Sequence, residues 1–189
     1  AATAQALLAA DAASQANGEV DVPALAAKHQ VDADALAAWL DYLGIGVGGE
    51  LKLDHFQNRI DASAGYDFVK GWGTAETPSL MANSSDQHVR VPGNLKPHGV
   101  VVHPSPTLSV AAGWKSPIAA NVRIEGSVTH AHPECGNGVT WTLELQRGRT
   151  RQTLATGISH GATPVAVGPI ESLAVRSGDL VSLLIGPRD

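Results

Sequence analysis

The chain has 189 residues, with 13 Lys and Arg against 18 Asp and Glu and 43% hydrophobic residues, enough apolar material for one ordinary core or one domain with a small appendage. Only 16% of residues are charged, whereas 20 are Gly and 11 are Pro, which excludes a charged disordered tail or a coiled coil and reads as globular and turn-rich. The formal net charge of −5 comes without any Lys/Arg run, and the longest apolar stretches, such as Val100 to Val102 and Leu180 to Ile185, fall far short of the roughly 18 to 20 residues that span a bilayer. Neither nucleic acid nor a membrane is an expected partner.

From Ala1 to about Leu43 the chain is rich in Ala and Leu, with helical punctuation. Asp21 caps one expected helix with Pro23 in its first turn, and Asp32 caps another that ends before Gly44. Three short helices are expected. Leu36, Trp39, Leu40 and Leu43 fall at i, i+3, i+4 and i+7, a stripe that reads as packing. Too small to stand alone, this piece is expected to dock Trp39 and Leu40 on the rest of the protein. The run Gly44 to Gly49 is the expected break between a helical segment at 1–49 and a β-domain at 60–189.

Beyond residue 60, short β-rich runs alternate with Gly, Pro and Asn. The segment Ser63 to Pro97 holds Tyr66, Phe68, Trp72 and the polar run Asn83 to Asp86, and reads as one edge strand with a long loop. Strands are expected at Gly99–His103, Thr107–Ala112, Asn121–His130, Val139–Arg147, Gln152–Gly157, Pro164–Val167 and Leu180–Ile185. Period-2 alternation turns Val122, Ile124, Val128, Val139, Trp141, Leu143 and Leu145 inward, and sets Glu125 and Glu144 on solvent faces. Turn signals at Gly136 to Gly138 and Ser177 to Asp179 complete the pattern. The fold class is mainly β: an antiparallel β-sandwich or jelly roll with a small N-terminal helical subdomain.

The stretch GWKSPIAANVRIEGSVTHAHPECGNGVTWTLELQRGRTRQTLATG, together with VGPIESLAVRSGDLVSLLIGPRD and NSSDQHVRVPGNLKPHGVVVHPSP, resembles a β-sandwich segment of large multidomain proteins of Planctomycetes and related bacteria. Those proteins typically carry a cytochrome-c-like domain and further domains of unknown function. The resemblance implies a periplasmic or extracellular setting, neighbouring domains as partners, and a further strand beyond Asp189 bearing a possible partner for the single Cys135. The buried-strand character of Leu180 to Ile185, so near the last residue, also points to a piece of a longer protein. Ala1 leads directly into a helical pattern, so any targeting signal was removed or lies elsewhere. By analogy of fold, the sandwich looks like non-catalytic sugar-binding modules.

Two constellations carry chemistry. Sugar-binding sandwiches lay a planar aromatic against a pyranose and flank it with hydrogen-bonding side chains. Trp72, in the loop-like Lys70-Gly71-Trp72-Gly73, and Trp114, between Gly113 and Lys115, suit that task, whereas Trp141 faces inward. The leading expectation is therefore a carbohydrate-binding-like module with a polysaccharide or other glycan as partner, no catalytic residue and no required cofactor. The alternative is a jelly-roll metalloprotein, such as a copper-dependent oxidase. His130 and His132 at i and i+2 would share a transition metal, with His103 or His160 as third imidazole and Glu134 as a carboxylate. Pro133 opposes it by ending the strand. A third reading is a structural spacer. There is no G-x-S-x-G elbow, H-E-x-x-H pair or phosphate-cradling loop, and Cys135 reads as an unpaired thiol rather than a nucleophile. Glu125, Glu134, Glu144 and Asp179 remain as carboxylates whose separations sequence does not give.

Overall fold

In the computed structural model, which describes residues 1–16, 19–46 and 56–188, both expected Asp caps form. Asp21 accepts a hydrogen bond from the Ala24 N–H at 3.0 Å, and Asp32 from that of Ala35 at 2.8 Å. They open α2 (Val22–His29) and α3 (Ala33–Leu43), which follow α1 (Ala2–Gln15). Gly44 closes α3 in the left-handed conformation, where an L side chain is disfavoured. Ala6 and Ala10 of α1 pack with Ala26 of α2, Leu36 and Leu40 of α3, and Ile45 in a small core of their own. The rest of the expected break, Val47 to Gly49, lies outside the described residues.

The segment expected to be an edge strand and a loop is instead a compact β-unit. Strands β1 (Arg59–Ile60), β2 (Val69–Gly73), β3 (Ser79–Asn83) and β6 (Val100–His103) form one antiparallel sheet in the order β1-β2-β3-β6. The tight pair β4 (Val89–Val91) and β5 (Gly93–Leu95) closes over it. Val69, Met81, Val89, Val91 and Leu95 fill the space between them. Short strands interrupted by Pro and Gly hide this unit, because each carries at most two inward apolar side chains. The polar run reads as a loop for good reason: the buried Asn83 side chain donates to the Gln87 and Lys96 carbonyls at 2.7 and 3.1 Å and accepts from the Ser85 N–H at 2.9 Å. That network satisfies a turn which no ladder could.

The remaining strands are β7 (Val110–Lys115), β8 (Ala120–Val128), β9 (Val139–Arg147), β10 (Thr150–Ser159), β11 (Val165–Val175) and β12 (Leu180–Pro187). Their pairing is nested: β9 with β10, β8 with β11, and β7 with β12. That is the winding of a long hairpin rolled on itself, a jelly roll of six strands. Pairing of β12 with β9 gives a four-stranded sheet, β10-β9-β12-β7, facing the ribbon β11-β8. Val128, Trp141, Leu143, Leu145, Val167, Val175, Val181 and Ile185 are buried between them, with Val122, Ile124 and Val139 packed alongside. The inward set expected from alternation is thus one core. The outward set holds less well, because the Glu144 side chain keeps only 13% of its surface and lies 3.9 Å from Arg151.

The helical piece docks on the sandwich, but through other residues than expected. Trp39 is 51% exposed and Leu40 lies in the helical core. The contact is instead backbone on backbone: a side chain at Gly44 or Gly148 would collide with the other residue. The Arg149 N–H donates to the Tyr42 carbonyl at 3.1 Å, and Asp11 forms an ion pair with Arg176. The stripe at 36, 39, 40 and 43 divides because Trp39 lies at its margin, on the side turned from α1 and α2.

Candidate functional site

Trp72 sits on a strand rather than in a loop. Alternation along β2 turns Val69 inward and Lys70 and Trp72 outward, and the register sets Trp72 opposite Arg59 of β1 and Leu80 of β3. The indole is 46% exposed on this outer sheet face. Arg59 lies over it with its guanidinium carbon 6.0 Å from the ring centroid, close enough for cation–π attraction. Arg59 is itself held by Asp61 at 2.8 Å. The result is one half-exposed planar aromatic on the outer sheet face, with a guanidinium over it, that guanidinium's carboxylate partner, and the Lys70 side chain on the same face. Sequence reading found Trp72 but missed Arg59 and Asp61, since no motif links them and only strand register brings Arg59 beside the ring.

Trp114 lies on the edge strand β7, opposite Val181 of β12. Val181 belongs to the core, so Trp114 continues the inward row. It remains 45% exposed, because the facing ribbon has only two strands. Trp114 and Trp72 are on different sheets. Trp141 is buried, as expected, with its ring stacked over Gly157, where a Cβ would approach Cζ2 to 2.6 Å.

The histidines divide. β8 ends at Val128, so His130 and His132 lie in the following loop rather than on a strand. Their i, i+2 relation therefore no longer aims them at one point. His130 instead meets His160, which follows β10, with ring centroids 6.1 Å apart and planes 25° from parallel. The His130 Nδ1 atom is buried without a hydrogen-bond partner. His132 turns toward Glu134, with Nε2 at 4.0 Å from the carboxylate, and His103 ends β6 opposite Ser79. Among the described residues no three His, Cys, Asp or Glu side chains are grouped as metal ligands.

The loop is fastened to the smaller β-unit. The Asn94 N–H donates to the Ala131 carbonyl at 2.7 Å, and Arg90 Nη2 donates to Glu134 at 3.1 Å. The Glu134 carboxyl is held below its ordinary value, chiefly by a hydrogen bond from its own backbone N–H, with Arg90 and His132 adding to this and desolvation opposing it. Cys135 is exposed and free. Of the other carboxylates, Glu125 pairs with Arg123, and Asp179 is buried against Arg147. No protein-family profile matches this chain, and comparisons with curated proteins and with solved structures gave no match to it.

Proposed function

We propose that this chain is a non-catalytic carbohydrate-binding-like module of a larger exported protein, taking a glycan on the outer face of the β1-β2-β3-β6 sheet. The observation that supports this reading is the half-exposed Trp72 ring on the outer strand surface, with Arg59 over it, Asp61 holding Arg59 and Lys70 on the same face. A pyranose presents an apolar C–H face and a rim of hydroxyls, and this surface offers a π-face and a rim of donors and acceptors. Binding-panel measurements with soluble polysaccharides test it. At least one should bind, and Trp72→Ala should weaken that binding by about tenfold or more, equivalent to roughly 1.4 kcal/mol. Binding that survives Trp72→Ala and disappears with Trp114→Ala would move the site to the β7 edge.

A second reading, a jelly-roll metalloprotein, is supported by the buried and unpartnered His130 Nδ1 beside His160. Imidazole nitrogens that lack a partner are available to a metal ion. Calorimetric titration with Cu²⁺ and Zn²⁺ separates the two readings. Binding tighter than about 1 µM that is abolished by His130→Ala favours the metalloprotein, whereas a glycan bound without metal favours the first reading.

A further inference from the structure

The outward face of α3 carries Ala35, Ala38, Trp39 and Tyr42 at i, i+3, i+4 and i+7, and these residues line an open apolar hollow of about 550 Å³. Trp39 and Tyr42 meet edge to face, with centroids 6.1 Å apart and planes at 85°, and remain 51% and 47% exposed. Their T-shaped contact fixes the two rings relative to one another on this face. Aromatic anchors of this kind dominate binding energy when a partner covers them, because they bury large areas at little conformational cost.

The charge around the hollow specifies the partner. Residues 1–46 hold six carboxylates and one lysine, so the entire formal net charge of −5 resides in the helical piece, while the rest of the chain balances. Asp34 and Asp41 are seven residues apart on α3 and therefore share one flank of the helix, beside Ala38. Among the described residues neither side chain makes an ion pair. An apolar trough with an unneutralised acidic border is complementary to a segment that is apolar on one face and cationic beside it. We propose that the α3 face is a docking site for a basic amphipathic helix of another protein segment, laid along Ala35, Ala38, Trp39 and Tyr42 with its Lys or Arg residues against Asp34 and Asp41.

Fluorescence anisotropy on the full chain tests this with a dye-labelled synthetic peptide of Leu and Lys at helical spacing, and with its twin in which Glu replaces Lys. The Lys peptide should bind at least about tenfold more tightly than the Glu peptide, and Trp39→Ala should weaken it about tenfold. Asp34→Asn with Asp41→Asn should weaken it several-fold and flatten its dependence on salt. Trp39 is exposed, so the variant should keep the wild-type circular dichroism and melting point, which separates lost binding from lost fold. Equal binding of the two peptides, binding indifferent to Trp39→Ala, or no binding at about 1 mM overturns the proposal. So does a dimer in sedimentation equilibrium that Trp39→Ala dissolves, or Trp39-dependent binding to phosphatidylcholine or phosphatidylserine vesicles, since each assigns the face to a different occupant.

Discussion

Arg147 grips Asp179 with two nitrogens. Its Nε lies 3.0 and 3.1 Å from the two carboxylate oxygens and its Nη2 lies 2.6 Å from one of them. Asp179 is 2% exposed and also accepts the Arg176 N–H at 2.8 Å, while Arg147 donates to the Ala174 carbonyl at 3.1 Å. The pair joins the end of β9 to the turn between β11 and β12. A charge so placed is tolerated only with its counter-charge.

Replacing Asp179 by Ala should therefore cost about 3 to 5 kcal/mol, the usual loss when one partner of a buried pair is removed. Urea denaturation measures it. A loss below about 1 kcal/mol would mean that Arg147 finds water or another acceptor and that the pair is incidental to the turn.

At the centre of the core, the register runs Leu183, Leu143, Ala155 across β12, β9 and β10. Leu143 is buried within this row, so Leu143→Ala should cost about 2 to 5 kcal/mol through lost transfer energy and a residual cavity. A change smaller than about 0.5 kcal/mol, typical of surface positions, would contradict the packing of the two sheets.

What sequence made legible follows from how many residues carried each signal. Nine consecutive positions of alternation in Val139–Arg147 located β9 with correct ends, because a long period-2 run has one consistent reading. The two Asp caps located α2 and α3 by a local hydrogen bond that needs no tertiary context. Strands of two to five residues in the 59–103 unit carry too few positions to establish a period. β11 runs on from Val167 to Val175 through Gly168-Pro169, a pair that reads as its end, with the pairing to β8 shifting register there. The candidate site is half legible: Trp72 stands out by composition, but Arg59 is brought opposite it only through strand pairing. The spacing of His130 and His132 needs a continuing strand, which Pro133 opposes in the sequence and which ends at Val128 in the structure.

Glu134 supplies a pH-dependent prediction. Its carboxyl is held below the ordinary glutamate value when folded, so the ionised form favours the folded loop. This contribution is present above the unfolded glutamate value near 4.3 and is lost as pH falls through the lower folded value. Carbon-detected NMR should show Glu134 titrating below an unstructured glutamate. Arg90→Gln should raise its midpoint only part of the way, because the backbone N–H is the larger cause. Complete reversion in that variant would make Arg90 the principal cause instead.

The last prediction concerns the seam between helices and sandwich. At Gly148, φ is +51°, and an added Cβ would lie 2.5 Å from the Gly44 nitrogen and 2.6 Å from the Asp41 carbonyl oxygen. Backbone atoms on both sides leave no flexible side chain to yield, so Gly148→Ala must push α3 away from the β9–β10 turn. Undocking would then strain Asp11 and Arg176, whose guanidinium is pushed below its ordinary value by burial and relies on Asp11 to offset this. Among the described residues the helices fully bury three alanines, two leucines and an isoleucine, with Leu7, Val20, Val22, Leu25, Val31 and Leu43 partly buried against them, a small apolar surface to hold them together once released. The wild-type chain should lose its helical signal at 222 nm and its Trp141 environment in one coincident transition. Gly148→Ala should split this into two, with helicity lost first, and Asp11→Asn should shift the same way by about 1 to 3 kcal/mol. Coincident transitions in Gly148→Ala at the wild-type midpoint would show that the seam accommodates the added methyl group and does not depend on the close backbone approach at Gly148.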